Sequence, residues 1–208
     1  MEVVLVKRYS GPLGHFSYDS RIFAIAKQND KDVLKFISNA NNINCYNNGD
    51  LYIPYGVNSC AGLFAKRCGL NGLHIVIPST VKNCAGMFYD CIDLIRAPLL
   101  PEGVEICSNM FAGCESLKFA PNIPDTVVDC SGMFLGCKAL KEPPKLSQNV
   151  RLCVEMFAEC NSLLFPTELP ASVKYAQSMY RNCVSLSHRC VLPYGQVDTH
   201  NMYMGVFQ

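Results

Sequence analysis

Seven cysteines recur at one interval in this chain: Cys45, Cys68, Cys91, Cys114, Cys137, Cys160 and Cys183 lie 23 residues apart. Equal intervals of this kind mean an array of repeated units, each too short to bury its own apolar face. With each of these cysteines counted as position 0, further columns align. Position 3 is Leu94, Leu117, Leu140, Leu163 and Leu186, and position 9 is Ile77, Leu100, Ile123, Leu146, Leu169 and Leu192. Position 10 is proline after each of these except at Ser147, and position 13 is Val81, Val104, Val127, Val150 and Val173. Position 16 adds a second cysteine column, Cys84, Cys107, Cys130 and Cys153, with Ala176 in the next unit. Positions 19 and 20 pair methionine with an aromatic residue, from Met87-Phe88 to Met179-Tyr180 and Met202-Tyr203. The first unit is irregular. Pro54, Val57, Cys60 and Leu63-Phe64 come one residue early, and an extra residue before Cys68 restores the register.

The physical reading is a solenoid in which coils stack and the recurring positions point inward. Coils joined by strand pairing stack at roughly 4.8 Å, so seven span on the order of 30 Å. Cysteine suits a tight part of the coil as a small, often buried hydrophobe. The methionine–aromatic pair fills the wide part. Prolines near positions 6, 7 and 10 (Pro98, Pro121, Pro143, Pro144, Pro166) limit regular strand to a few residues, because proline cannot donate to a ladder.

The spacing Pro-x-x-Val-x-x-Cys-x-x-Met-Phe-x-x-Cys-x-x-Leu resembles the BspA-type leucine-rich repeat over residues 45 to 203. Cysteine at position 16, where that family more often has an aliphatic residue, is a departure that alters packing and not architecture. The resemblance implies a right-handed α/β solenoid of short parallel strands, about seven repeats long, whose usual work is recognition. Family members are often bacterial or protist surface proteins that contact host factors.

Half of the 208 residues are apolar, 17% are charged and the net charge is +1, a globular composition. No stretch collects Lys and Arg, which argues against nucleic acid and against an anionic membrane as partners. No stretch approaches the roughly 20 apolar residues of a membrane span. The N-terminus lacks the basic start and long apolar run of a secretory signal. These features predict a cytoplasmic protein, in the host cytoplasm if a phage or pathogen encodes it.

Residues 1–44 do not repeat and read as an N-terminal α/β cap, with the solenoid occupying 45–208. Glu2–Tyr9 and Phe16–Lys27 are expected as strands joined by the turn Gly11-Pro12-Leu13-Gly14. Asn29 or Asp30 is expected to cap a short helix through Ile37. At the other end Met204, Val206 and Phe207 follow the last methionine–aromatic pair without a charged residue. An open last coil exposes apolar side chains and unpaired backbone, so a homodimer or a structural assembly through it is one expectation.

Chemistry-bearing patterns are few. Zinc sites favour cysteines two to four residues apart, whereas pairs such as Cys84 and Cys91 have six between them, so no metal or other cofactor is expected. Stacked cysteines keep their Cβ atoms too far apart for an undistorted disulfide, so free thiols in a reducing compartment are expected. Cys190 lies outside both columns and is the expected exposed thiol. A Cys190–His188 enzyme is conceivable, but two residues apart on an extended segment they are not placed to meet. No hydrolase, metalloprotease or phosphate-loop motif occurs, so no catalytic residue is assigned.

What remains is a variable outward column. Position 5 reads Leu73, Arg96, Phe119, Glu142, Phe165 and His188, and position 4 adds Ile95, Lys118, Lys141 and Leu164. Apolar and aromatic residues rimmed by charge are typical of protein interfaces. The alternative is that Phe119 and Phe165 fold back into the core. The expected function is therefore non-catalytic binding of another protein, an intracellular inhibitor being one form of it.

Overall fold

The computed structural model describes residues 3–5, 9–11, 14–16, 23–28, 31–36, 50–53, 56–72, 74–194 and 196–206, with the backbone alone for those before 53. From residue 50 onward the chain is a solenoid. Strand β6 (Asp50–Tyr52) pairs in parallel with β7 (His74–Val76), and later coils meet through single-residue parallel bridges. One ladder links Ser59, Asn83, Ile106, Asp129, Leu152, Tyr175 and Asp198 in turn. Prolines keep the strands short, as the sequence predicts.

The rest of each coil is a run of tight turns whose backbone donors alternate. The N–H groups of Met87, Tyr89 and Cys91 donate three residues back, to Cys84, Gly86 and Phe88. Those of Gly86, Phe88 and Asp90 donate to Ser108, Met110 and Ala112 in the next coil, at 2.7–2.8 Å. Every second amide therefore closes a turn and every other one joins two coils, which satisfies a buried backbone without helix or sheet. The turning requires two residues of left-handed φ per coil, four apart: Asn109 and Gly113, Gly132 and Gly136, Glu155 and Glu159, Ser178 and Asn182.

The interior is built from the aligned columns. The leucines of position 3, the valines of position 13 and Met87 to Met179 are buried. Rings stack in one file from Phe64 through Phe88, Phe111, Phe134, Phe157 and Tyr180 to Tyr203, with centroids 5.4–5.7 Å apart. Fully burying such a side chain is worth about 1.5–3 kcal/mol. Of position 9, Leu192 in the last coil is exposed while Ile77, Ile123, Leu146 and Leu169 are buried.

From Cys84 and Cys91 onward the two cysteine columns are both buried, and they differ in chemistry. Thiols of Cys91, Cys114, Cys137, Cys160 and Cys183 donate to the carbonyls of Phe64, Phe88, Phe111, Phe134 and Phe157 in the preceding coil, at 2.9–3.2 Å. Each such carbonyl already takes a local turn N–H, so the sulfur fills its second lone pair. The position-16 column (Cys84, Cys107, Cys130, Cys153) makes no comparable bond among the described residues. Burial pushes all of these thiols up, to about 12 for Cys84, Cys91, Cys153 and Cys183. The twelve described cysteines, Cys60 to Cys190, are free; Cys45 lies outside the described residues.

Cys68 corrects one expectation. It belongs to the 23-residue column by sequence yet is exposed. The extra residue explains this: Arg67, not Cys68, makes the turn bond to the Phe64 carbonyl, as Cys91 does to Phe88. Cys68 is thereby pushed out of the stack.

At the N-terminus, β1 (Val3–Leu5), β4 (Phe23–Gln28) and β5 (Lys31–Phe36) form an antiparallel sheet in the order β1-β4-β5. A hairpin joins β2 (Tyr9–Gly11) to β3 (Gly14–Phe16), with Gly11 opposite Gly14 at the expected turn. The expected helix is replaced by β5. Gln28 pairs with Lys31, and the expected cap residues Asn29 and Asp30 lie outside the described residues. Cross-strand pairing of six residues outweighs the local capping signal. Among the described residues no helix is long and apolar enough to cross a membrane.

Candidate protein-binding face

Positions 4 and 5 leave the core between the buried leucine of position 3 and half-buried residues such as Ala97 and Ala120 at position 6. Backbone bonds carry this face across three of its four coil steps. Lys118 N–H donates to the Ile95 carbonyl at 2.9 Å, Leu164 N–H to Lys141 at 3.0 Å, and Ser187 N–H to Leu164 at 2.9 Å. Arg96 and Phe119 form a parallel bridge. Bulky side chains thus stand in file on a rigid support.

Ile95, Arg96, Lys118, Phe119, Lys141, Glu142, Leu164, Phe165 and His188 are all exposed, and Leu73 lies outside the described residues. Phe119 and Phe165 keep 48% and 49% of their surface in contact with solvent, so they do not fold back into the core. The file is also internally ordered. The Arg96 guanidinium sits over the Phe119 ring, 4.0 Å from its centroid. The Phe165 and His188 rings lie 6.4 Å apart, tilted by 53°. Beside Arg96 an open groove runs between Leu70, Ile75, Leu94, Leu99 and Pro121.

A second exposed file was not singled out from the sequence. It follows the long ladder and holds exposed Ile106 and Tyr175 and half-buried Leu152 among Lys82, Glu105, Arg151, Lys174 and Asp198, with Asp129 half-buried. Its signal was present as two consecutive variable positions, 14 and 15, between buried Val and Cys.

His188 and Cys190 are not brought together. The His188 Nδ1 lies 2.8 Å from Ser187 Oγ, while the Cys190 sulfur accepts the Tyr203 hydroxyl at 3.1 Å. Cys190 is half-buried and its thiol is pushed up by burial, so Cys68 replaces it as the exposed thiol. Among the described residues no group of three His, Cys, Asp or Glu side chains could hold a metal ion. At the last coil Met204 is exposed, but Val206 is buried and belongs to the core, which corrects its assignment to an open end. Phe207 lies outside the described residues.

No protein-family model matches the chain, and no curated protein matches its sequence. Three solved structures are similar. A leucine-rich repeat protein from Eubacterium ventriosum is 20% identical with a TM-score of 0.62, over 91% of this chain and 51% of that one. The leucine-rich repeat protein of T. pallidum is 20% identical with a TM-score of 0.50, over 82% of this chain and 68% of that one. One from Bacteroides ovatus is 19% identical with a TM-score of 0.51, over 82% of this chain and 51% of that one. The chain spans about half the length of the first and third of these proteins. Likeness at this identity bears on the fold, and there it agrees with the resemblance to BspA-type repeats: the chain is a leucine-rich-repeat solenoid.

Proposed function

We propose that this solenoid binds another protein through the file from Ile95 to His188, without catalysis of its own. The observation that carries the reading is the exposure of Phe119 and Phe165 on a support that is already ordered. A preformed surface loses little ordering entropy on binding, and aromatic residues dominate interface energetics. Residues 1–44 serve in this reading as a cap on a solenoid of about seven repeats. A cytoplasmic setting, that of a host if a phage or pathogen encodes the chain, is part of the reading too. Its support is chemical: the buried thiols act as hydrogen-bond donors and need to stay reduced. Inhibition, by covering a partner's own working surface, is the finer form of the same proposal.

The test is affinity capture with the wild type and with Phe119→Ala/Phe165→Ala, both checked for folding by circular dichroism. Loss of one captured protein in the folded double variant is the expected result. Equal capture of that protein would sink the assignment of this face. Assembly through the last coil is the second reading, favoured by exposed Met204 beside the groove of Arg189, Leu192 and Tyr203. A mass that grows with concentration in light scattering is what it requires.

A further inference from the structure

The two exposed files differ in charge. The ladder file holds Lys82, Arg151 and Lys174 against Glu105, Asp129 and Asp198, and so is balanced. The file from Ile95 to His188 holds Arg96, Lys118 and Lys141 against Glu142 alone. Elsewhere three cations meet acids of a neighbouring coil: Lys82 with Glu105 at 3.4 Å, Lys138 with Glu115 at 2.7 Å, and Arg181 with both Glu155 and Glu159. Among the described residues Lys118 and Lys141 have no carboxylate in salt-bridge contact. Lys66, Lys145, Arg151 and Lys174 lack one too; the first two stand outside both files, and the file of the last two carries as many acids as cations. Arg96 is held by its flat face on Phe119, which leaves the N–H edge of the guanidinium to an acceptor.

Resting on the binding role given above, we infer that the partner presents an extended acidic segment bearing apolar side chains, its carboxylates reaching Arg96, Lys118 and Lys141. Its apolar residues would sit on Ile95, Phe119, Leu164 and Phe165, all exposed along the same file. From Arg96 to His188 is four coil steps, on the order of 20 Å, the reach of about six residues of extended chain. Charge complementarity of this kind selects partner and orientation and speeds encounter. Nucleic acid is the poorer fit, because its binding scales with the number of phosphates neutralised and the file offers only three cations, the last of them beside an acid.

The experiment measures fluorescence anisotropy of labelled peptides with the full chain. The probes are repeats of Glu-Glu-Phe, Lys-Lys-Phe and Glu-Glu-Ser of equal length, and a thymidine oligonucleotide. The Glu-Glu-Phe peptide is expected to bind more tightly than the other three, and less tightly as salt shortens the Debye length. Lys118→Glu/Lys141→Glu is expected to weaken it by ~10-fold or more, and Lys174→Glu on the other file to leave it unchanged. Equal binding of the Lys-Lys-Phe peptide or the oligonucleotide would overturn the inference, as would an unchanged affinity in a folded lysine double variant. If the acidic peptide fails while the phenylalanine variants still lose the captured protein, the acidic segment is wrong and the face stands. If those variants also keep it, both fall.

Discussion

The hydroxyl oxygen of Tyr180 accepts the backbone N–H of Thr167 at 3.0 Å, deep in the core. The same relation recurs one coil on, where Tyr203 accepts the Cys190 N–H at 2.8 Å. Thirteen residues before Phe111, Phe134 and Phe157 the chain instead has Pro98, Pro121 and Pro144. Proline has no N–H to satisfy, so a phenylalanine ring suffices there. At Thr167 and Cys190, where the proline is absent, the ring thirteen residues on is a tyrosine that carries an oxygen; Ile75, thirteen before Phe88, lies instead in strand β7. Tyr180→Phe should therefore leave a buried donor unpaired and cost about 1–3 kcal/mol. Thr167→Pro in the same chain, which mimics Pro143-Pro144 of the preceding coil, should make the double variant cost less than the two single changes summed. Urea unfolding of the four proteins measures this coupling. Strict additivity would mean that the bond contributes nothing.

The two cysteine columns should respond differently to alanine. Cys137→Ala removes a donor to the Phe111 carbonyl as well as a buried sulfur, and should cost about 1–2 kcal/mol. Cys130→Ala removes packing alone, at a position where Ala176 already stands in the same column, and should cost less than about 1 kcal/mol. Denaturant midpoints at constant slope decide it. Equal losses would deny the sulfur its role as a donor.

Alkaline pH should unfold this protein. Burial holds thiols such as Cys84, Cys91, Cys153 and Cys183 at about 12, against 9.0 for an exposed thiol. Between those values the unfolded chain has lost protons that the folded chain retains, so stability is intact below about pH 9 and falls as pH rises. Each such thiol removes about 1.4 kcal/mol per pH unit across that window. Circular dichroism from neutral pH upward should show a steep loss of structure above about pH 9. A native spectrum maintained at pH 12 would contradict it. In the native state at neutral pH, a thiol reagent followed by peptide mapping should modify Cys68 first.

Glycines at the left-handed positions should not be equivalent. Gly132 has φ +60° and the Asn109 side-chain oxygen packed where a Cβ would stand. Gly136 has a similar φ of +70° but only ordinary contact with Gly113. Gly136→Asn should be nearly neutral, since Asn182 holds the matching place at φ +60°. Gly132→Ala combines the strained φ with displacement of the Asn109 side chain and should cost about 1 kcal/mol or more. Thermal midpoints rank them, and a Gly132→Ala protein as stable as the wild type would refute the packing.

Period, coil stacking and inward columns were legible from the residues, because a repeated unit must place the same side chain in the same environment each time. Cys137, Leu140, Val150 and Met156 needed no three-dimensional information to be assigned to the core. Phe119 and Phe165 could be named as a column, but whether they faced solvent depended on how tightly position 4 turned away from Leu117 and Leu163. Local signals failed where distant pairing set the outcome. Asn29 and Asp30 looked like a helix cap until Phe23–Gln28 offered Lys31–Phe36 a partner strand. Cys68 matched the period and left the core because one inserted residue handed its place to Arg67. The thiol bonds to phenylalanine carbonyls and the exchange of Pro-Phe for Thr-Tyr are contacts between neighbouring coils. Such contacts follow from stacking distance and orientation, which a list of residues does not contain.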